Sequence, residues 1–345
     1  VSTATVSNVL ANRSSVNPTL AGRVRAAVRA LSYEVDRAAS QLRSGRSRVV
    51  AVVVPSLENP FFTSIIASIE RHLRHDGYDI VVASSGDQED VERARLAALL
   101  SWRPLGVVVI PCTDAFASRV VLRDARVPYV VVDRVVEQTS GVDSVSVDNQ
   151  AAGGLAAEHL VGLGHRNVLI FASSLRLANI RERCAGARRA FAAAGLPEPS
   201  ILEAGFVIEE VSEKLEAWLV RHRRPTGIIA LTNFATLGAM SALARLSIRV
   251  PDQVSLVGFD DYVWMRASSP PITAVRQPVD HIGAEAVKRL RSRIREDDAP
   301  PVSVRLACDL VVRASTRHAG QVGAGSTKRV EGSPPRRRSA SGGSS

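Results

Sequence analysis

The chain has 345 residues, 46% hydrophobic and 23% charged, which is too long for one ordinary core and too apolar for a disordered chain, so two or three folded domains are expected. Three scattered cysteines, Cys112, Cys184 and Cys308, argue against a disulfide framework or a zinc site. No apolar run approaches the roughly 18 residues of a membrane span, and no secretory signal opens the chain, so a cytoplasmic location without a membrane partner is expected. The net charge of +10 gathers at the ends: residues 1–48 carry eight arginines against two acids, residues 313–345 seven basic groups against one, and the body between is slightly acidic. A basic segment of helical character suggests contact with a phosphate backbone.

Ser2-Thr-Ala-Thr-Val-Ser-Asn-Val-Leu10 reads as a short helix capped by Ser2, with Val6, Val9 and Leu10 on one face. Thr3, Ala4, Ser7 and Asn8 lie on the other face, small and hydrogen-bonding, suited to a major groove. Asn17 caps a second helix, Thr19–Leu31, with Pro18 at its first position and Val24, Val28 and Leu31 at helical spacing. A third amphipathic stretch, Arg37–Arg43, ends at Gly45. Two short helices and a basic linker are too small to bury a core alone, so a further element before Val1 is expected.

From Val49 the pattern becomes strand then helix. Val49–Val54 is a continuous apolar run, as in a parallel strand buried on both faces. Then come a helix over Pro60–Gly77, a strand Tyr78–Ser84, a helix Asp90–Trp102, a strand Gly106–Pro111, a helix Ala115–Asp124 and a strand Pro128–Asp133. A second series follows Asp148: a helix to Leu163, strand Val168–Ala172, helix Ile180–Ala194, strand Ile201–Gly205, helix Glu209–Arg221, strand Gly227–Leu231, helix Thr236–Leu246 and strand Val254–Phe259. Two such runs predict an α/β protein of two doubly wound parallel-sheet lobes, about five strands each, preceded by a partial all-α helix-turn-helix head. Ligands of such sheets bind outside the carboxyl ends of the strands, here expected in a cleft between the lobes. From Gly320 the Gly/Ser/Pro/Arg composition reads as a solvated tail.

The residues are similar, in order, to those of the lactose/galactose/purine repressor (LacI/GalR) family. Val1–Leu10 resembles its recognition helix, Val16-Asn-Pro-Thr with Leu31-Ser-Tyr33 its third helix, and Arg37-Ala-Ala-Ser-Gln-Leu-Arg-Ser-Gly-Arg46 its hinge. Val54-Pro-Ser-Leu-Glu-Asn-Pro-Phe-Phe62, Val132-Asp-Arg134, Val147-Asp-Asn149, Leu163-Gly-His-Arg166, Arg181-Glu-Arg-Cys-Ala-Gly186, Val257-Gly-Phe-Asp-Asp261, Pro270–Pro278 and Val312-Arg-Ala-Ser-Thr316 continue the match. The resemblance implies a first helix of about fifteen residues ahead of Val1 and periplasmic-binding-protein-like lobes. It divides the chain into a head (1–36), a hinge (37–48), a first lobe (49–148 with 279–302), a second lobe (149–278 with 303–318) and a disordered basic tail (319–345).

It also implies roles. Thr3, Ala4 and Asn8 take positions that read base edges, with Thr5, Ser7 and Asn12 as further DNA contacts, and Leu42 takes that of a leucine wedged into the minor groove. Phe61 or Phe62, Asp148, Arg183 and Asp260 match effector contacts. The set suits a polyol: carboxylates accept from vicinal hydroxyls, a guanidinium bridges two oxygens, and an aromatic ring stacks on a C–H face. Asn233 stands where many members carry an acid. Trp264 is either a second stacking wall or lobe core. Asp148-Asn149 either touches ligand or caps the helix that follows, and His165 reads as structural.

The implied function is a ligand-responsive repressor of carbohydrate-utilisation genes, a homodimer binding pseudo-palindromic operator DNA under control of a small sugar. The other reading is a secreted or periplasmic sugar-binding protein without DNA binding, which would have no use for residues 1–48. The chain carries no GxGxxG, Walker A, GxSxG or HExxH motif, so no enzyme activity, catalytic residue, metal or cofactor is expected.

Overall fold

A computed structural model of the chain describes residues 1–10, 16–31, 48–135, 139, 141–295 and 299–321. Two helices come first, α1 (Thr3–Leu10) and α2 (Pro18–Ala30). The Ser2 hydroxyl accepts the Thr5 amide at 3.2 Å and the Asn17 side chain accepts that of Thr19 at 2.9 Å, so both expected caps form. The two helices bury one valine each, Val9 and Val24, although Leu31 is left 77% exposed. The facing stripes are just wide enough to cover one side chain apiece, which falls short of a core. The hinge candidates at 37–47 lie outside the described residues.

The strands and helices that follow are β1 (Val49–Val54), α3 (Pro60–Arg74), β2 (Asp79–Ser84), α4 (Glu89–Leu100), β3 (Gly106–Val109), α5 (Arg119–Asp124), β4 (Tyr129–Val132) and β5 (Ser144–Val147). Next are α6 (Asn149–Gly162), β6 (Val168–Ala172), α7 (Ala178–Ala193), β7 (Ser200–Glu203), α8 (Ile208–Arg221), β8 (Gly227–Ala230), α9 (Asn233–Arg245) and β9 (Ser255–Phe259). The chain continues through α10 (Val263–Ala267), β10 (Thr273–Arg276), α11 (Val279–Arg295), β11 (Ser303–Leu306) and β12 (Asp309–Val311). The first helix of the series ends at Arg74 rather than Gly77; Gly77, at φ +69°, forms the left-handed turn that returns the chain to β2.

Two six-stranded sheets result, in the orders β11-β5-β4-β3-β1-β2 and β12-β10-β9-β8-β6-β7. Neighbours such as β1 and β3 (Val50 opposite Gly106) or β6 and β8 (Val168 opposite Gly227) run parallel, while β12 runs antiparallel to β10. Six strands replace the expected five because each sheet gains short segments, such as Ser144–Val147 in the first and Asp309–Val311 in the second, that hold too few apolar residues to stand out. Val50 to Val54 are completely buried, as a parallel strand covered on both faces requires.

The chain divides into two compact units, Val1–Val132 with Thr139–Ser144 and Gly283–Val302, and Asp133–Gln138 with Val145–Ile282 and Ser303–Ser345. Helix α11 belongs with the first from Gly283 onward, where its buried Leu290 lies against Gly106 of β3. The second is built around α6 and α7, which cross on Gly153 and Gly186. At its edge, Ala319–Gln321 forms a 3-10 turn whose Ala319 amide donates to Leu163 O at 2.9 Å. The tail expected to be disordered from 319 therefore starts as an ordered turn, held by that hydrogen bond; residues 322–345 lie outside the described ones.

Candidate functional site

The second unit gathers its polar residues where its strands end. Ser173 follows β6, Asn233 opens the helix after β8, Asp260 follows β9 and Gln277 follows β10, four neighbouring strands of one parallel run. Ser173, Asn233 and Gln277 are all under 5% exposed. The Asp260 carboxylate ties the group together, accepting the Gln277 side-chain amide at 2.6 Å and the Asn233 backbone amide at 3.1 Å. Three oxygens remain buried without a protein partner: Ser173 Oγ, Asn233 Oδ1 and Gln277 Oε1. A buried oxygen left this way costs about 1–3 kcal/mol, and three at one sheet end describe a surface prepared for a ligand that donates hydrogen bonds.

Arg183 supplies the positive charge. It projects from α7 and is 3% exposed, donating through Nε to Asn149 Oδ1 at 2.9 Å and through Nη1 to Leu231 O at 2.8 Å. Its guanidinium carbon lies 4.1 Å from the centroid of the Phe259 ring, a cation–π contact inside the protein. Asp133, next to β4, accepts from the Asn179 side chain at 3.4 Å. Burial pushes the Asp133 carboxyl up, against the opposing charges of Arg183 and Arg134. Asp260 is also pushed up by burial, opposed first by Arg183 and then by the hydrogen bonds from Gln277 and Asn233. Both aspartates sit at positive φ, +65° and +82°, a conformation more tolerable for Asp than for most side chains. Cys308, pushed up to about 12 by burial, offers no ready thiolate.

The expected effector residues are distributed as follows. Arg183, Asn233 and Asp260 come together in this cluster. Asp148 caps α6, accepting the Ala151 amide at 2.8 Å, and it is its neighbour Asn149 that meets Arg183. Asp261 is an anchor, with its side chain fully buried and paired to Arg313 at 2.6 Å. Trp264 packs on the apolar cluster of Leu256, Met265 and Ile272. Phe61 and Phe62 are buried in the first unit at the start of α3, their rings 5.7 Å apart and tilted by 56°. His165 is fully buried, with Thr226 and the Arg317 carbonyl on its two ring nitrogens.

Asp133, Asn179, Ser173 and Gln277 are members of the cluster that the sequence reading did not propose, whereas Asn149 belongs to the Asp148-Asn149 pair that it left between ligand contact and helix cap. Each but Asn179 sits at or within two residues of the end of a fully or largely buried strand, and that placement is the signal that marks it. At the other end of the chain, Thr3 and Ala4 are exposed on α1, Asn8 is half-buried, and the Thr5 hydroxyl is 2.9 Å from that of Ser2. Ser7 lies on the same helix; Asn12 and Leu42 fall outside the described residues. Among those residues no group of His, Cys, Asp and Glu could hold a metal ion, and no helix is long and apolar enough to cross a membrane.

The periplasmic binding protein-like domain family matches residues 157–316. The HTH-type transcriptional repressor PurR of Vibrio parahaemolyticus is 30% identical, over 92% of this chain and 96% of that protein. Among solved structures, the lac repressor dimer bound to operator and the anti-inducer ONPF superimposes with a TM-score of 0.81 at 26% identity, covering 92% of this chain and 96% of that one. A complex of the transcriptional regulator CelR with cellobiose gives 0.71 at 28% identity, covering 91% and 96%.

Proposed function

The chain belongs to the LacI/GalR family of transcriptional regulators, and from that premise we propose that it is a sugar-responsive, DNA-binding repressor of carbohydrate-utilisation genes. Its relatives are repressors, not enzymes. The observation that carries the effector reading is the cluster around Asp260, where Arg183 and three unpartnered buried oxygens stand together at the ends of four adjacent strands. A neutral polyol meets each of these groups: its hydroxyls donate to Asn233, Gln277 and Asp260 and accept from the guanidinium. A phosphorylated sugar would set its charge against the buried Asp133 and the half-buried Asp260 carboxylates.

The DNA reading is supported by α1, whose exposed Thr3 and Ala4 with Asn8 form a small polar surface, and by the basic excess of residues 1–48. On this reading the chain acts in the cytoplasm as a homodimer on a pseudo-palindromic operator, in keeping with the structure of the lac repressor dimer bound to operator. Effector and operator then share one conformational equilibrium, with a coupling of about 1–3 kcal/mol.

The test is a thermal-shift screen of the chain against neutral sugars, sugar phosphates and purines, followed by operator selection with and without the hit. A neutral sugar should raise the melting temperature and change operator affinity. A hit confined to purines or sugar phosphates would overturn the sugar assignment, and failure to select any DNA would overturn the repressor reading.

A further inference from the structure

A polar cavity lies in the first unit, away from every residue of the cluster described above. It measures about 440 Å³ and is lined by Asp76, Lys288, Arg289, Arg291, Ser292 and Arg295. That is the size of a small-molecule site. Four of the six lining residues are cations. Glu285 pairs with Lys288 and Arg289, each at 3.0 Å, and Asp76 pairs with Arg291, whose guanidinium also donates to His72 O at 2.9 Å. Arg295 has no ion-pair partner among the described residues. Among the described residues, two carboxylates therefore stand against four positive charges.

The placement of these charges on α11 matters. Lys288, Arg291, Ser292 and Arg295 recur at the spacing of one helix face, so like charges neighbour one another along it, an arrangement that weakens a helix. Favourable interaction with the helix dipole accounts for Arg295 in the last turn, but not for Lys288, Arg289 and Arg291, which lie further in. Arg291 is held by Asp76 and the His72 carbonyl, and so is presented in one orientation instead of sweeping through solvent.

We propose that this cavity is a binding site for a small phosphate-bearing anion, distinct from the effector site. Arg291 and Arg289 form its fixed wall, Lys288 and Arg295 close on the ligand, and the Ser292 hydroxyl adds a neutral donor. The chain would thereby take a second small-molecule signal, carried by charge rather than by hydroxyl pattern.

Calorimetric titration of the whole chain with inorganic pyrophosphate at low ionic strength tests this. Saturable binding is expected, weakened at least tenfold in a K288Q/R295Q variant, whose two side chains bear on the cavity without supporting the core. An R23Q/R29Q variant in the head should bind as the wild type does, and acetate at matched ionic strength should not saturate. Glu296, Asp297 and Asp298 follow the cavity helix in sequence; neutralising them should leave pyrophosphate binding as tight or tighter. The proposal is overturned if the wild type does not bind, if K288Q/R295Q binds equally well, if the head variant alone loses binding, or if removing the three acids weakens it.

Discussion

Gly153 and Arg183 meet backbone to backbone: a methyl group on Gly153 would lie 1.9 Å from the Arg183 carbonyl oxygen. One turn away the contact is repeated with the roles exchanged, since a methyl group on Gly186 would lie 1.8 Å from Gln150 O. Helices α6 and α7 cross at this distance only because both glycines lack a side chain. The crossing aims the Arg183 guanidinium at Asn149 and Leu231 O.

Gly153→Ala should therefore cost stability and effector binding together. Forcing a methyl into backbone costs about 1–3 kcal/mol or more, and the shift is delivered directly to Arg183. Gly162→Ala, at the end of the same helix with nothing within 4 Å of the new methyl, should be neutral or stabilising by up to about 1 kcal/mol. Chemical denaturation of the two variants separates a close crossing from general helix propensity. Equal stability of Gly153→Ala and wild type would refute the close approach.

Removing the charge of Arg183 should be felt by both aspartates. In Arg183→Met two hydrogen bonds from a charged donor are lost, about 1.5–3 kcal/mol each. Arg183 is also the foremost charge holding the Asp133 and Asp260 carboxyls down against burial. Their titration, followed by carbon NMR of the carboxyl groups, should move to higher pH in the variant. An unchanged titration would show that Arg183 does not govern the cluster's charge.

Asp260→Asn should stabilise the ligand-free protein at neutral pH while abolishing effector binding. Burial raises the folded-state pKa of Asp260, so the folded chain keeps this proton to higher pH than the unfolded chain does. Stability is then lost as pH rises from the ordinary carboxylate value through the raised one. An amide carries no such penalty, and Gln277, whose Oε1 has no partner, can turn to accept from it. The variant's advantage in urea unfolding should be larger at pH 7 than at pH 4. An advantage that grew toward pH 4 would contradict the assignment of the buried charge.

In the head, Asn8→Ala and Thr3→Ala should relax discrimination between operator bases, by about 1–3 kcal/mol for a paired contact. Arg29→Gln, on the exposed side of α2, should weaken all DNA alike and reduce the salt slope by about 0.9 if it neutralises one phosphate. Competition binding at two salt concentrations reads both effects, and a uniform loss from Asn8→Ala would remove it from base readout.

Much of this architecture was readable in the chain itself. Val49–Val54 and Val168–Ala172 announce buried parallel strands by their unbroken apolar runs. Helix α11 is equally regular, with Ile282, Ala286 and Leu290 all buried every fourth residue, but its many charges dilute that stripe in the sequence. The site was legible only in part. Arg183, Asn233 and Asp260 lie in segments that match the family, whereas Gln277 and Ser173 become site residues through strand order, which brings β10 and β6 either side of β9 and β8. No local pattern encodes that adjacency. The same holds for Asn149 over Asp148: which of two neighbouring polar residues caps α6 and which turns to Arg183 depends on where α7 crosses.

The interrupted course of the first unit has a consequence for how the protein is made. Its β3 strand is covered by Leu290, yet the residues from Gly283 to Val302 leave the ribosome only after most of the second unit, which begins at Asp133. At about 5–20 residues per second, the nascent β1–β4 segment waits on the order of ten seconds for its missing helix. Through that interval the valine-rich strands have one uncovered face, and the second unit is translated before the first can close. Yield in a cell should thus depend on holding chaperones and on translation rate, and slowing synthesis through residues 133–282 should lower the soluble fraction without altering the finished fold.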